Sequence, residues 1–303
     1  MSLSRATLRW LDKNGPASLE GRRVLVTGAN SGVGFKTAEV AIHLGAAVVL
    51  ACRNLQRAAG AKAALLKEYP GAVIDLMTLD LADLASVAAF AARLEEEKVD
   101  LDVFVNNAGV FHLPGQKTAD GFDRVMGTNY LGVYALSEAV LPYLATLPHG
   151  VTYVNTVSLI HKFAKVDDSP LDGKKLGNVA AYADSKLCLA RYTYALAARY
   201  KDTNVRVVMC HPGIAITPLG LKAVGPIAKL EPVLGWLFQS PEKASLSVPY
   251  LLAHERPAGS ITGPTKLLGG WGYPKPNKVS RKVTGDASAL IQATENARKN
   301  GTS

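Results

Sequence analysis

From Arg22 onward the chain alternates short β-branched runs with longer stretches of helical character, and this alternation restricts the fold more than any single residue does. The runs lie at 24–27 (VLVT), 47–52 (AVVLAC), 73–78 (VIDLMT), 101–105 (LDVFV), 151–156 (VTYVNT) and 205–210 (VRVVMC), with a last one around 265–268. Each is apolar almost throughout, as strands covered on both faces are. Helices are predicted between them at 34–45, 54–68, 84–97, 118–147, 179–200 and 240–254. Right-handed crossovers fold such an order into an α/β, doubly wound parallel sheet.

No Pro-, Gly- and Ser-rich linker divides the chain, so residues 1–303 read as a single domain with a core at 20–270. Hydrophobic residues make up 48% of the 303 and charged residues 19%, enough apolar material for a sizeable core and outside the disordered range. The net charge of +9 is dispersed, which describes a solvated surface; interleaved basic and aromatic residues are missing, so no nucleic-acid partner is expected. The densest basic stretch, 275–282, holds Pro274 just before it, then Pro276 and Asn277, and is predicted to be an exposed tail before a last helix. Cys52, Cys188 and Cys210 are odd in number and widely spaced, which predicts neither disulfide nor zinc site, and no metal. Residues 1–23 contain no long apolar stretch, and no run of spanning length occurs elsewhere. A soluble, cytoplasmic protein without stable membrane insertion is expected, with Leu3, Leu8, Trp10 and Leu11 on a short helix docked on its own domain.

The first strand runs into Thr27-Gly28-Ala29-Asn30-Ser31-Gly32-Val33-Gly34 and then a helix. Glycines permit positive φ and close approach of backbone to a ligand, and the free N–H groups of the helix start favour an anion. A dinucleotide pyrophosphate fits there. The second strand ends in Cys52-Arg53, where an NAD enzyme usually places a carboxylate on the ribose; Arg53 suits a 2′-phosphate instead. The expected cofactor is therefore NADP(H) rather than NAD(H).

Among eleven tyrosines only Tyr182 has a lysine four residues on, in Tyr182-Ala183-Asp184-Ser185-Lys186, so ammonium and phenol share a helix face. A nearby cation would lower the phenol's pKa from its usual value near 10. The fifth strand ends in Asn155-Thr156-Val157-Ser158, which brings a hydroxyl to the sheet edge where ligands bind in open α/β folds. Ser158 could stabilise a developing alkoxide. The fourth strand ends at the same edge with Asn106-Asn107-Ala108-Gly109.

With Asp80-Leu81, Asn129 and Pro212-Gly213, these motifs stand in the order of the classical short-chain dehydrogenase/reductase family, which the chain resembles over residues 20–270. It looks most like the branch of retinol dehydrogenases and related carbonyl reductases, through Ala51-Cys52-Arg53, Lys117-Thr118-Ala119-Asp120-Gly121-Phe122 and His211-Pro212-Gly213. The resemblance implies a Rossmann fold and an alcohol/carbonyl oxidoreductase. It implies Tyr182 as general acid or base, with Lys186 tuning it and contacting the nicotinamide ribose, and Ser158 positioning the substrate oxygen. Asn129 would hold a water linking Lys186 to solvent. Gly28, Asn30, Ser31, Gly32, Val33, Gly34, Arg53, Asp80 (at the adenine), Leu81, Asn107, Ala108, Gly109, Pro212, Gly213 and Thr217 (at the carboxamide) would bind the dinucleotide.

Ser158 and Tyr182 stand 24 positions apart, longer than the family's usual gap, a feature shared by retinol-dehydrogenase-like members. The insert contains His161, which is read as structural or solvent-facing. The strongly apolar segment 214–240 falls where the family carries a substrate lid, followed by a C-terminal extension at 271–303. Apolar lining suits a hydrophobic ketone, aldehyde or alcohol. Two other readings stay open: a light-dependent protochlorophyllide-type reductase, and a non-catalytic nucleotide-sensing regulator. Helices 118–147 and 179–200 could form a homodimer face.

Overall fold

A computed structural model describes residues 2–111, 115–164, 178–214 and 239–300. Eight strands form one sheet in the order β3-β2-β1-β4-β5-β6-β7-β8. They are β1 (Arg23–Thr27), β2 (Ala47–Cys52), β3 (Ile74–Thr78), β4 (Val103–Asn106), β5 (Val151–Thr156), β6 (Val205–Cys210), β7 (Ile261–Lys266) and β8 (Trp271–Asn277). All neighbours are parallel except β7 and β8. The strand order reverses between β1 and β4, which opens a crevice at their carboxyl ends.

Both faces of the sheet are covered, and the strand periodicity of two divides the core accordingly. Leu25, Val49, Phe104, Tyr153 and Val207 pack on one side under α4 (Leu84–Glu96), α6 (Gly132–Leu144) and α7 (Asn178–Arg199). Val24, Val26, Val48, Val105, Val154 and Val208 pack on the other, under α2 (Gly32–His43) and α3 (Leu55–Glu68). The amino-terminal helix α1 (Arg5–Asn14) is capped by Ser4 and docks Trp10 and Leu11 against Val40 and Leu246. Burying apolar side chains of that size stabilises by about 1.5–3 kcal/mol each. Among the described residues no helix is long and apolar enough to cross a membrane.

Three sequence expectations are corrected. The single helix predicted at 118–147 begins later. Lys117 and Asp123 form a bridge around a turn in which Gly121 takes φ +84°, and Asp123 then caps α5 (Arg124–Met126) with its carboxylate. A π-helical turn (Gly127–Leu131) links α5 to α6. The expected tail at 275–282 instead begins inside the sheet, because β8 is an edge strand with one unpaired side, where Pro274 and Pro276 are tolerated. The sheet thus extends past the predicted core limit of residue 270.

Beyond β8, α10 (Arg281–Thr284) and α11 (Ser288–Asn300) return across the molecule; α8 (Pro241–Ser245) and α9 (Ser247–Ala253) precede β7. Tyr130 and Thr294 share a hydrogen bond of 2.7 Å, and Tyr134 donates to Glu295 at 2.6 Å. The carboxyl-terminal helix therefore sits on tyrosines of the π turn and α6.

Candidate active site

The glycine turn is built by backbone geometry. Gly28 and Gly32 take φ +67° and +60°, the left-handed region in which a side chain is strained. A Cβ on Gly28 would come within 3.0 Å of the Ala108 Cα; one on Gly34 would meet the Asn107 side-chain nitrogen and, at 2.6 Å, the Gly28 carbonyl oxygen. Thr27 Oγ1 accepts from the N–H groups of Asn107 and Ala108, each at 3.0 Å, and Asn107 Nδ2 donates to the Thr27 carbonyl at 3.0 Å. These bonds lock the ends of β1 and β4 together at the crevice. Ser31 precedes α2 in extended conformation without capping it through its hydroxyl, so the helix's first N–H groups are not taken by that side chain. Asn30 and Val33 are half-buried and Ser31 is exposed.

Arg53, just past β2, is 59% exposed at its side chain, and its Nε lies 3.9 Å from Asp80 Oδ2. The two residues assigned separately to the ribose phosphate and the adenine thus face each other across the mouth of the crevice. An exposed pair at that distance contributes under about 1 kcal/mol, so the guanidinium remains available to a phosphate. Asp80 accepts from the Ala82 N–H at 2.9 Å, while the cap of α4 is Asp83. Leu81 is buried, and its carbonyl abuts Gly132, where any Cβ would collide with it.

At the ends of β5 and α7, Ser158, Tyr182 and Lys186 converge. Ser158 acts on the Tyr182 phenol, where its hydroxyl favours the ionised form and opposes burial. Lys186 is buried, donates to the Thr156 carbonyl at 2.8 Å, and holds its ammonium 5.9 Å from the centre of the Tyr182 ring. Phe111 packs on the same ring with centroids 4.7 Å apart. Sequence reasoning missed Phe111, since an aromatic three residues after Ala108 carries no periodic signal.

The electrostatics differ from expectation. The Tyr182 phenol is pushed up by burial, with the Ser158 hydrogen bond opposing, rather than lowered by the lysine. Lys186 is itself brought down to about 8 by desolvation. Burial disfavours the charged form of both groups, and the ammonium points to a carbonyl. The buried Asn129 side chain braces the loop after β4. Oδ1 accepts from the Val110 N–H at 2.7 Å, and Nδ2 donates to the Val110 carbonyl at 2.8 Å and to Ser185 Oγ at 3.3 Å. A Cβ on Gly109 would sit 3.1 Å from Asn129 Oδ1 and 3.7 Å from Lys186 Nζ. The absence of a side chain there keeps a cradle open beside the lysine, continuous with the glycine turn, and these residues fit a dinucleotide.

On the other wall, Pro212 is half-buried and its carbonyl accepts from the Gln239 side chain, while Gly213 takes φ +73° where a Cβ would come within 2.6 Å of the Gly270 oxygen. Thr217 and the expected lid, apart from Ile214, Gln239 and Ser240, lie outside the described residues.

Residues 22–224 match the family model described as short chain dehydrogenase. The chain belongs to the short chain dehydrogenase family. Retinol dehydrogenase 14 of Mus musculus is 40% identical over 217 residues, covering 68% of this chain and 64% of that protein. Retinol dehydrogenase 13 of Homo sapiens is 34% identical over 247 residues, 79% of this chain and 74% of that protein. This short chain dehydrogenase therefore spans just under two thirds of the mouse relative. The crystal structure of an uncharacterized protein from Mycobacterium paratuberculosis matches with a TM-score of 0.76 at 28% identity, covering 94% of this chain and 96% of that one. The matches put this short chain dehydrogenase in the retinol dehydrogenase branch.

Proposed function

We propose that the chain is an NADP(H)-dependent oxidoreductase acting on lipophilic aldehydes, ketones or the corresponding alcohols. A bound nicotinamide supplies or accepts the hydride. The observation that carries the reading is the convergence of half-buried Ser158 and Tyr182, with buried Lys186 beside the ring and the Gly109 cradle next to it. Because burial raises the Tyr182 phenol, it keeps its proton at neutral pH, as a donor to a carbonyl oxygen must. Ser158 would hydrogen-bond the same oxygen. Once the proton leaves, the Lys186 ammonium stabilises the phenolate, and a group titrating at about 8 exchanges protons readily near neutrality.

Arg53 at the end of β2, exposed and only loosely paired with Asp80, supports NADP(H) over NAD(H) through a charge-assisted contact with the 2′-phosphate. The relatives named retinol dehydrogenases and the apolar sequence of 214–240 support a lipophilic substrate. Absorbance at 340 nm, followed with NADPH or NADH against nonanal, all-trans-retinaldehyde, a cyclic diketone and glyceraldehyde, tests the proposal. The expected result is NADPH-dependent turnover of the apolar carbonyls; turnover of glyceraldehyde alone, or of none of the panel, would overturn it.

A further inference from the structure

We infer that His161 is a positioning residue for Ser158, holding the serine backbone through its Nδ1–H so that the hydroxyl stays at the site. The inference rests on the reading of Ser158 as the group that orients the substrate oxygen.

Ser158 opens a 3-10 turn, Leu159–Phe163, with φ −138° and ψ 146°. Its hydroxyl reaches the Ile160 N–H only at 3.5 Å, at the limit of a hydrogen bond, so capping does not consume the hydroxyl. The grip is on the carbonyl. The Ser158 oxygen accepts from the His161 backbone N–H at 3.1 Å and meets His161 Nδ1 at 2.5 Å. A carbonyl can only accept, so the proton of the ring lies on Nδ1. His161 is 2% exposed, burial lowers its pKa, and Nε2 has no partner among the described residues. The ring is therefore neutral, with Nε2 unpartnered among the described residues. Among the described residues this tautomer is set by the Ser158 contact.

The far end of the turn is held as well. Lys282 of α10 donates to the carbonyls of Lys162 and Ala164, each at 2.9 Å. With its end fixed and its first carbonyl doubly bonded, the turn leaves Ser158 little freedom to swing. Displacements near 1 Å at a reacting centre cost on the order of 100-fold in rate.

Three variants and one spectrum test the assignment, with nonanal and NADPH as the activity probe. An asparagine side chain places its amide where Nδ1 stands, and a glutamine places it where Nε2 stands. His161→Leu is expected to lower kcat about 10- to 100-fold with NADPH affinity, read by fluorescence, unchanged within about twofold. His161→Asn should recover most of that loss and His161→Gln little of it. In a Ser158→Ala background the further loss from His161→Leu should fall below about threefold, since coupled residues are not additive. Equal losses in both backgrounds, or equal recovery by Asn and Gln, would overturn the inference. Should His161→Leu not fold, the Asn and Gln pair decides. Independently of any substrate, ¹⁵N spectra of histidine-labelled protein should find His161 protonated on Nδ1 only; an Nε2–H tautomer overturns the contact. The expected tautomer in a wild-type chain that turns over no carbonyl would instead count against the proposed function.

Discussion

The Lys186 ammonium donates to the carbonyl oxygen of Thr156 at 2.8 Å, tying the middle of α7 to the last residue of β5. The bond orients a charge that burial opposes. Lys186 titrates at about 8 in the folded chain, against 10.5 in the unfolded one. Below pH 8 both states carry the proton and the folded state bears the full cost of an interior charge, about 3 kcal/mol. Between pH 8 and 10.5 the unfolded chain binds more protons, so this cost disappears as pH rises. Lys186→Met is therefore expected to melt higher than wild type at pH 7, with the gain shrinking toward pH 10, and to be inactive. Thermal melts across that range check it; a variant less stable at pH 7 would contradict the burial argument.

Removing the Arg53 guanidinium should change cofactor choice without changing chemistry. Charge-assisted bonds contribute about 1.5–3 kcal/mol, so Arg53→Ala is expected to raise KM for NADPH about 10- to 100-fold while leaving KM for NADH within about threefold. Steady-state kinetics with both cofactors measure this. An unchanged ratio of catalytic efficiencies would show that Arg53 is an ordinary surface residue.

Two glycine substitutions should act in opposite directions. Gly34→Ala drives a methyl into Asn107 and the Gly28 carbonyl, where little can yield, and is expected to cost about 1–3 kcal/mol together with dinucleotide binding. Gly60 lies within α3 with nothing within 4 Å of an added Cβ. Gly60→Ala should stabilise by about 0.5–1 kcal/mol and leave activity alone. Chemical denaturation of the two variants provides the comparison.

The contacts of Tyr130 with Thr294 and of Tyr134 with Glu295 put the chain's own last helix on a face that could otherwise pair two copies. Hydrogen exchange over α6 and α7 is accordingly expected to be the same at low and high protein concentration. Protection of those helices that grows with concentration would contradict it.

Much of this arrangement is legible in the residues. The limits of β2, β5 and β6 follow directly from their apolar runs, because strands buried on both faces leave a continuous signature. The convergence of Ser158 and Tyr182 follows from one lying at a strand's carboxyl end and the other on the next helix. What escapes is local and non-periodic. Pro274 and Pro276 disguise β8 as a tail, since proline argues against a strand except at an edge, and edges are set by the whole sheet. The break at Gly121 and the π turn interrupt a pattern that reads as one helix. The side-chain contacts of Asn129 with the Val110 backbone carry no sequence signal, and the direction of the Tyr182 shift depends on burial, which spacing does not encode. The contact of His161 with Ser158 is a side chain folding back three residues, with no signature beyond a histidine in a loop.

The central claim is that Tyr182 moves the proton. Tyr182→Phe removes one oxygen from a site otherwise intact, so single-turnover reduction of nonanal by prebound NADPH measures it most directly. The account expects a loss of at least about 100-fold with NADPH affinity unchanged. Turnover within about threefold of wild type would place the proton transfer elsewhere.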